Sequence, residues 1–167
     1  MSEKPDEVYP CMFTTGRKVY HYHTGTMTRR CKPLEYGADV MGPCIEVSED
    51  IANEKGLQDG DYVCVVNKRG KIAAKVQINP DLREGTIFTT FHYVEADGNE
   101  LANAEDKDPL SGINPLKMTI ADIRKISYEE FVDIRIKEYE ELEPVIYRQV
   151  KIPSIYRKIK GNSHDTK

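Results

Sequence analysis

The sequence predicts a mainly β protein with short helices, built as a small β-barrel. Two observations carry that reading. Short apolar runs recur at close intervals, separated by the turn signals Lys68-Arg69-Gly70, Asn79-Pro80-Asp81 and Glu84-Gly85. The run from Lys71 to Ile78 alternates with period two, with Ile72, Ala74, Val76 and Ile78 on one face and Lys71, Ala73, Lys75 and Gln77 on the other. Hydrophobic residues are 39% of 167, enough for one core, and the 31% of charged residues describes a solvated surface.

Residues 1–8 are charged and contain a proline, and read as a linker more like the middle of a longer polypeptide than a natural start. They lack the apolar stretch of a secretory signal, so the expected location is the cytoplasm. Tyr9 to Thr15 suits a strand. Thr28 to Lys32 leaves room for a short helix that Pro33 stops. Cys44 to Val47 is a short apolar strand. Ser48 then offers an N-cap, and Glu49 and Asp50 favour the positive end of a helix that should close at Lys55-Gly56, where glycine permits a left-handed cap. Leu57 to Asp61 is a turn, Tyr62 to Asn67 a strand, and Lys71 to Ile78 its hairpin partner. Thr86 to Phe91 is a further strand. Val94 to Asn114 is a polar loop with helical turns, and a loop that long in a compact domain points to function. Leu116 to Ile126 supplies the last strand. Tyr128 to Leu142 is an acidic helix stopped by Pro144, followed by a basic stretch to Lys160 and a tail from Asn162. This extension is expected to pack against a partner subunit.

The net charge of −4 argues against a general nucleic-acid binder, and no run of about 18 apolar residues exists to span a membrane. Cys11, Cys31, Cys44 and Cys64 are widely spaced with no C-x-x-C pair, which removes the usual structural zinc and iron–sulfur ligand sets. They read as small buried hydrophobes.

One segment reverses the acidic balance. Residues 16–32 hold Arg17, Lys18, Arg29, Arg30 and Lys32 and no Asp or Glu. Gly16 and Gly25 let a backbone approach a ligand closely, and Arg17, Arg29 and Arg30 offer forked donors to phosphate oxygens. Thr24, Thr26 and Thr28 add hydroxyls. His21 and His23 lie two apart, so a strand would point them the same way. The competing readings are plain ones. The histidines can be surface or core groups, and a zinc pair would need a third ligand that nothing is spaced to give. On a helix, adjacent Arg29 and Arg30 cannot both address one ligand.

The run Thr14-Thr15-Gly16-Arg17 followed by His21-Tyr22-His23-Thr24-Gly25-Thr26-Met27-Thr28-Arg29-Arg30 resembles the C-terminal domain of molybdenum- and tungsten-dependent formate dehydrogenases. Further landmarks fall in order: Glu46 to Gly60, Arg69-Gly70, Gly85, Phe91-His92-Tyr93, Asn99, Leu101, Asp108-Pro109 and Pro115-Leu116-Lys117. Leu116 departs from the family's usual aromatic, and Met118-Thr119-Ile120 from its usual Cys-Ala-Val. The resemblance implies a double-psi β-barrel (aspartate decarboxylase-like) over residues 9–126, with a C-terminal extension over 127–167. The implied ligand is molybdopterin guanine dinucleotide, held by Thr15, Gly16, Arg17, His21, His23, Thr24, Gly25, Thr26, Met27, Thr28, Arg29 and Arg30. His92, Asn99 and Lys117 would face its pterin end. For His92 the competing reading is a core histidine after a strand, and for Asn99 a turn residue after Gly98.

The resemblance also implies what lies elsewhere. Molybdenum or tungsten, its ligand and the iron–sulfur cluster would sit in other parts of a parent formate dehydrogenase that interconverts formate and carbon dioxide. No residue here is expected to be catalytic or to bind metal, and the chain alone is expected to be inactive. Its partners would be the remaining domains of that subunit and possible electron-transfer subunits. Two other functions fit the barrel: a small subunit of a related enzyme such as formylmethanofuran dehydrogenase, and a non-catalytic adaptor module like those of ATP-driven unfoldases. The adaptor reading leaves the basic segment without a use.

Overall fold

A computed structural model describes residues 3–31, 33–34, 43–103, 108–113 and 117–135. Six strands close a barrel: β1 (Cys11–Gly16), β2 (Cys44–Val47), β3 (Tyr62–Val66), β4 (Lys71–Ile78), β5 (Thr86–Thr90) and β6 (Met118–Lys125). Around the barrel they run β1-β5-β2-β4-β3-β6. β1/β5 and β2/β4 are parallel and every other pair is antiparallel. Advancing each strand number by three maps β1/β5 onto β4/β2 and β1/β6 onto β4/β3, and returns β2/β5 and β3/β6 to themselves. That twofold pattern, with two parallel crossings, is the double-psi topology expected from the sequence.

Inward-facing residues fill the barrel. Phe13, Ile45, Val47, Val63, Val65, Ile72, Val76, Ile87 and Ile123 are each 2% exposed or less, and they form one cluster with Leu101 from the loop after β5. Closure leaves no sheet edge to aggregate. The outer face of β4 departs from the simple alternation. Ala73 is buried as fully as its neighbours, because Cys64, Ile126 and Ile134 cover it and Tyr62 and Phe131 pack alongside. Phe131 and Ile134 belong to α2 (residues 128–135), so this described part of the extension packs on its own barrel. The expected continuation to Leu142, Pro144, the basic stretch and the tail lie outside the described residues, as do Lys32, Asn114 and Leu116.

Helix α1 (Glu49–Lys55) ends as expected, with Gly56 at φ 63° and the Leu57 amide reaching back to the Ala52 carbonyl at 2.8 Å. Its start differs. Ser48 makes no side-chain cap, because its Oγ accepts the Thr86 N–H at 3.3 Å. Asp50 takes the Gly85 N–H at 2.8 Å. The helix start is thereby spent on fixing the entry to β5.

The N-terminal segment is tied to the barrel by Glu3. Arg69 forks onto both carboxylate oxygens at 2.8 and 2.9 Å, the Thr119 hydroxyl donates at 2.6 Å, and Lys68 stands 3.1 Å away. Arg69 is the main reason the Glu3 carboxyl falls to about 2 from its usual 4.5; burial opposes the shift, and Thr119 and Lys68 reinforce it. A carboxylate with a depressed folded pKa adds stability that is fully present above about 4.5 and lost as the pH falls through about 2. Glu3→Gln is therefore expected to cost about 1–2 kcal/mol at neutral pH. The gap between the two proteins should close on acidification in that window. Thermal unfolding of both across the range measures it, and a pH-independent gap would contradict the assignment.

Candidate functional site

The topology collects the candidate residues at one end of the barrel. β1 and β5 are parallel, with Gly16 opposite Thr90, so the segments that follow them, 17–30 and 91–101, leave side by side. β6 runs antiparallel to β1 with Met118 opposite Thr14, so Lys117 enters at the same end, and its carbonyl accepts the Thr15 N–H at 3.4 Å. Gly98 lies over Thr15: a Cβ on Gly98 would stand 2.7 Å from the Thr15 methyl. Thr15 itself is buried beneath it.

The histidine pair does not project as a strand would have it. His21 is buried at 4% exposure, with Nδ1 3.1 Å from the Thr28 hydroxyl and Nε2 3.2 Å from the Tyr93 hydroxyl. His23 is exposed, with φ 51° in the left-handed region, where a side chain other than glycine is strained. His92 is 1% exposed and bonds to the 17–30 backbone at two points. Its Nε2 accepts the Lys18 N–H at 2.8 Å, and its Nδ1 bonds the His23 carbonyl. The two glycines approach protein atoms. A Cβ on Gly16 would stand 2.4 Å from the Phe88 ring, and one on Gly25 (φ 73°) 2.9 Å from the His92 carbonyl. The 2.9 Å bond from Arg29 N–H to the Gly25 carbonyl then starts the 3-10 turn Thr28–Arg30.

The four described loop cations divide into two inward and two outward. Arg29 forks onto Glu95 at 2.8 and 2.6 Å and lies 4.9 Å over the Tyr93 ring. The Lys18 ammonium stands 3.3 Å from the buried Glu46 carboxylate. Arg17 and Arg30 point outward and have no carboxylate partner among the described residues; Arg17 rests 5.7 Å over Phe91. Thr24, Thr26 and Met27 are exposed beside them, as are Val19, Tyr20 and Tyr22. Asn99 and Lys117 are exposed at the same end, and the Asn99 N–H is held by Asp97 at 2.9 Å within the turn Gly98–Leu101. Burial pushes the Asp97 carboxyl up, against that bond.

Glu95 is the structural residue that sequence reasoning missed, and Tyr93 and Glu46 stood there as landmarks without a role. The available signal was charge: Glu95 is an acid between the apolar Val94 and Ala96, directly after the His92 landmark. Among the described residues, no group of three or more His, Cys, Asp and Glu is arranged to hold a metal ion, and no helix is long and apolar enough to cross a membrane.

A closed double-psi barrel with a basic segment held at one end defines the class of domain. Residues 11–120 match the molydopterin dinucleotide binding domain, and the chain belongs to that family. It is 44% identical over 126 residues to the F420-dependent formate dehydrogenase subunit alpha of Methanocaldococcus jannaschii. It is 35% identical over 124 residues to the F420-dependent formate dehydrogenase 1 subunit alpha of Methanococcus maripaludis. The matches cover 75% and 74% of this chain but 18% of each relative. Among solved structures, acetylene hydratase from Pelobacter acetylenicus superposes with a TM-score of 0.54 at 17% identity, over 71% of this chain and 18% of that one, which is a likeness of fold.

Proposed function

We propose that this chain is the C-terminal cofactor-holding domain of a formate dehydrogenase alpha subunit, and that the ligand it holds is molybdopterin guanine dinucleotide. The observation that carries the reading is the split of the loop charges. Lys18 and Arg29 are neutralised by barrel-side carboxylates, while Arg17 and Arg30 stand outward among exposed hydroxyls on a fixed backbone. A diphosphate fits that donor set: forked guanidinium donors, Thr24 and Thr26 hydroxyls, and a loop already ordered, so that little entropy is lost on binding. His23, Met27, Asn99 and Lys117, exposed around the same end, would complete the contacts. The family match over 11–120 and the names of the two relatives support the parent assignment.

When bound, the cofactor supplies the dithiolene and the metal, molybdenum or tungsten, for two-electron chemistry on formate and carbon dioxide. This chain's residues bind and orient it. Arg17 and Arg30 neutralise phosphate, the threonines add hydrogen bonds, and the inner network holds the segment in shape. The metal ligand and the iron–sulfur cluster belong to the rest of the parent subunit, which is the domain's partner in the cytoplasm, together with electron-transfer subunits. The chain by itself would then be inactive.

GDP and GMP carry the guanine nucleotide end of the cofactor, and titration of the chain followed by backbone amide shifts tests the reading. Shifts confined to 16–30 and the 91–99 turn are expected, stronger for the diphosphate. Arg17→Ala with Arg30→Ala should weaken GDP binding by about tenfold or more, since charge-assisted hydrogen bonds contribute about 1.5–3 kcal/mol. Thermal stability should hold, because both side chains are exposed. No response of the loop at millimolar GDP would overturn the proposal.

A further inference from the structure

We infer that His92 is a positioning residue: its neutral imidazole, protonated at Nδ1, sets the shape of the 17–30 segment, and the outward anion-binding face exists only while that ring is uncharged. The binding clause rests on the function proposed above; the claim about shape does not.

The tautomer follows from the partners. A backbone N–H can only donate and a backbone carbonyl can only accept. Lys18 N–H meets Nε2, so Nε2 must be the bare nitrogen. The His23 carbonyl meets Nδ1, so Nδ1 must carry the hydrogen. No other neutral arrangement satisfies both, and the ring is 1% exposed, so water cannot replace a lost partner. An imidazolium would set Nε2–H against the Lys18 N–H, donor against donor.

The two bonds bracket the segment. Lys18 follows the β1 exit, and His23 is the strained residue at φ 51° just before Gly25. Holding the His23 carbonyl fixes the peptide that leads into the Thr28–Arg30 turn, and so fixes where Thr24, Thr26 and Arg30 point. The ring that binds a pterin in the sequence-based expectation thus has both nitrogens committed to the protein.

The surroundings oppose a charge on His92. The His21 ring from the loop lies with its centroid 5.5 Å away. Tyr93 and Glu95 follow on its own segment, and Glu95 is taken by Arg29. The Lys18 backbone meets it from the loop, and the Lys18 ammonium is paired with Glu46 of β2. Arg17 lies over the adjacent Phe91, and the exposed His23 ring is on the solvent side. Burial at 1% exposure disfavours a further cation at this ring.

The test uses the whole chain. Long-range nitrogen–proton spectra read the imidazole tautomer directly, and hydrogen exchange reads the Lys18 N–H. His92 is expected as the Nδ1–H form, with the Lys18 amide strongly protected. As the pH is lowered, Nε2 protonation should coincide with at least a tenfold loss of Lys18 protection and a comparable loss of GDP affinity. His92→Gln keeps an acceptor near the Nε2 position without a titrating ring. It should retain Lys18 protection and make it independent of pH, which a merely space-filling role would not do. An Nε2–H ring, or Lys18 protection that survives Nε2 protonation, overturns the inference. A ring that stays neutral until the barrel unfolds overturns its pH-gating half. The expected tautomer and exchange behaviour with no GDP response would leave the loop mechanism standing and remove the nucleotide reading.

Discussion

Glu95→Ala is expected to lower the unfolding free energy by about 3 kcal/mol, far more than the loss of a surface ion pair. The Glu95 side chain is 8% exposed and that of Arg29 18%, and both fork bonds are short, at 2.8 and 2.6 Å. Removing the carboxylate leaves a guanidinium inside the protein, facing the Tyr93 ring at 4.9 Å without its fork to Glu95. The loss of that buried counter-charge carries most of the cost. The consequence should be local as well as global: the turn Thr28–Arg30 should lose amide protection, since Arg29 is the side chain that ties it to the 94–96 turn. Arg29→Met with Glu95→Leu should recover much of the stability, because apolar groups of similar volume can replace a buried ion pair. Chemical denaturation of the singles and the double measures this. A single-variant loss under about 1 kcal/mol would show that Arg29 is not anchored there and return it to the ligand-facing set.

How much of this was legible in the sequence depends on the range of the contact. The strands announced themselves through alternation and turn residues, because both are local. Gly56 was legible for the same reason. The adjacency of β1 and β5 was not, because it pairs Met12 with Thr86 across most of the domain. Yet that one parallel contact places the basic loop beside His92, Tyr93 and Glu95. The basic segment itself stood out by charge and motif. What a one-dimensional reading could not supply was direction: Arg29 and Arg30 are neighbours of identical chemistry, and only the position of Glu95 sends one inward and leaves the other outside. The same holds for His21 and His23. Their spacing suggests a shared face, but the left-handed backbone at His23 breaks the strand geometry and separates a core group from a surface one. On β4, Ala73 was assigned to the outer face by its period and is buried all the same, because α2 covers that face from far along the chain.

Asn67→Asp, a change of one atom, should be the second severe substitution, and its pH dependence identifies the cause. Asn67 is 5% exposed and uses all four of its amide functions. Its Oδ1 accepts the N–H groups of Arg69 and Gly70 at 2.9 and 3.2 Å, closing the β3–β4 turn. Its Nδ2 donates to the carbonyls of Leu101 and Ile120 at 2.9 and 3.3 Å. The same side chain therefore joins the hairpin to β6 and to the end of the 91–101 segment that carries His92. Asn67→Ala should cost about 2–3 kcal/mol, tempered at Leu101 because the Arg69 Nε also donates to that carbonyl at 3.0 Å. An aspartate there sets a charged oxygen against two carbonyls, and a cost of about 3–5 kcal/mol at neutral pH is expected. Burial must raise the folded pKa of such a group above its unfolded value of about 3.9. The folded state then binds the proton more tightly, so Asn67→Asp should be most stable below about 3.9, where the acid can still donate one hydrogen bond, and should weaken as the pH rises through that value. The trend is opposite to that expected for Glu3, whose carboxylate strengthens the fold as it ionises. Urea denaturation of the alanine and aspartate variants at several pH values separates the two effects. If the aspartate variant is as stable as the parent at neutral pH, Nδ2 is not holding the Leu101 and Ile120 carbonyls, and the link from the hairpin to the site is lost with it.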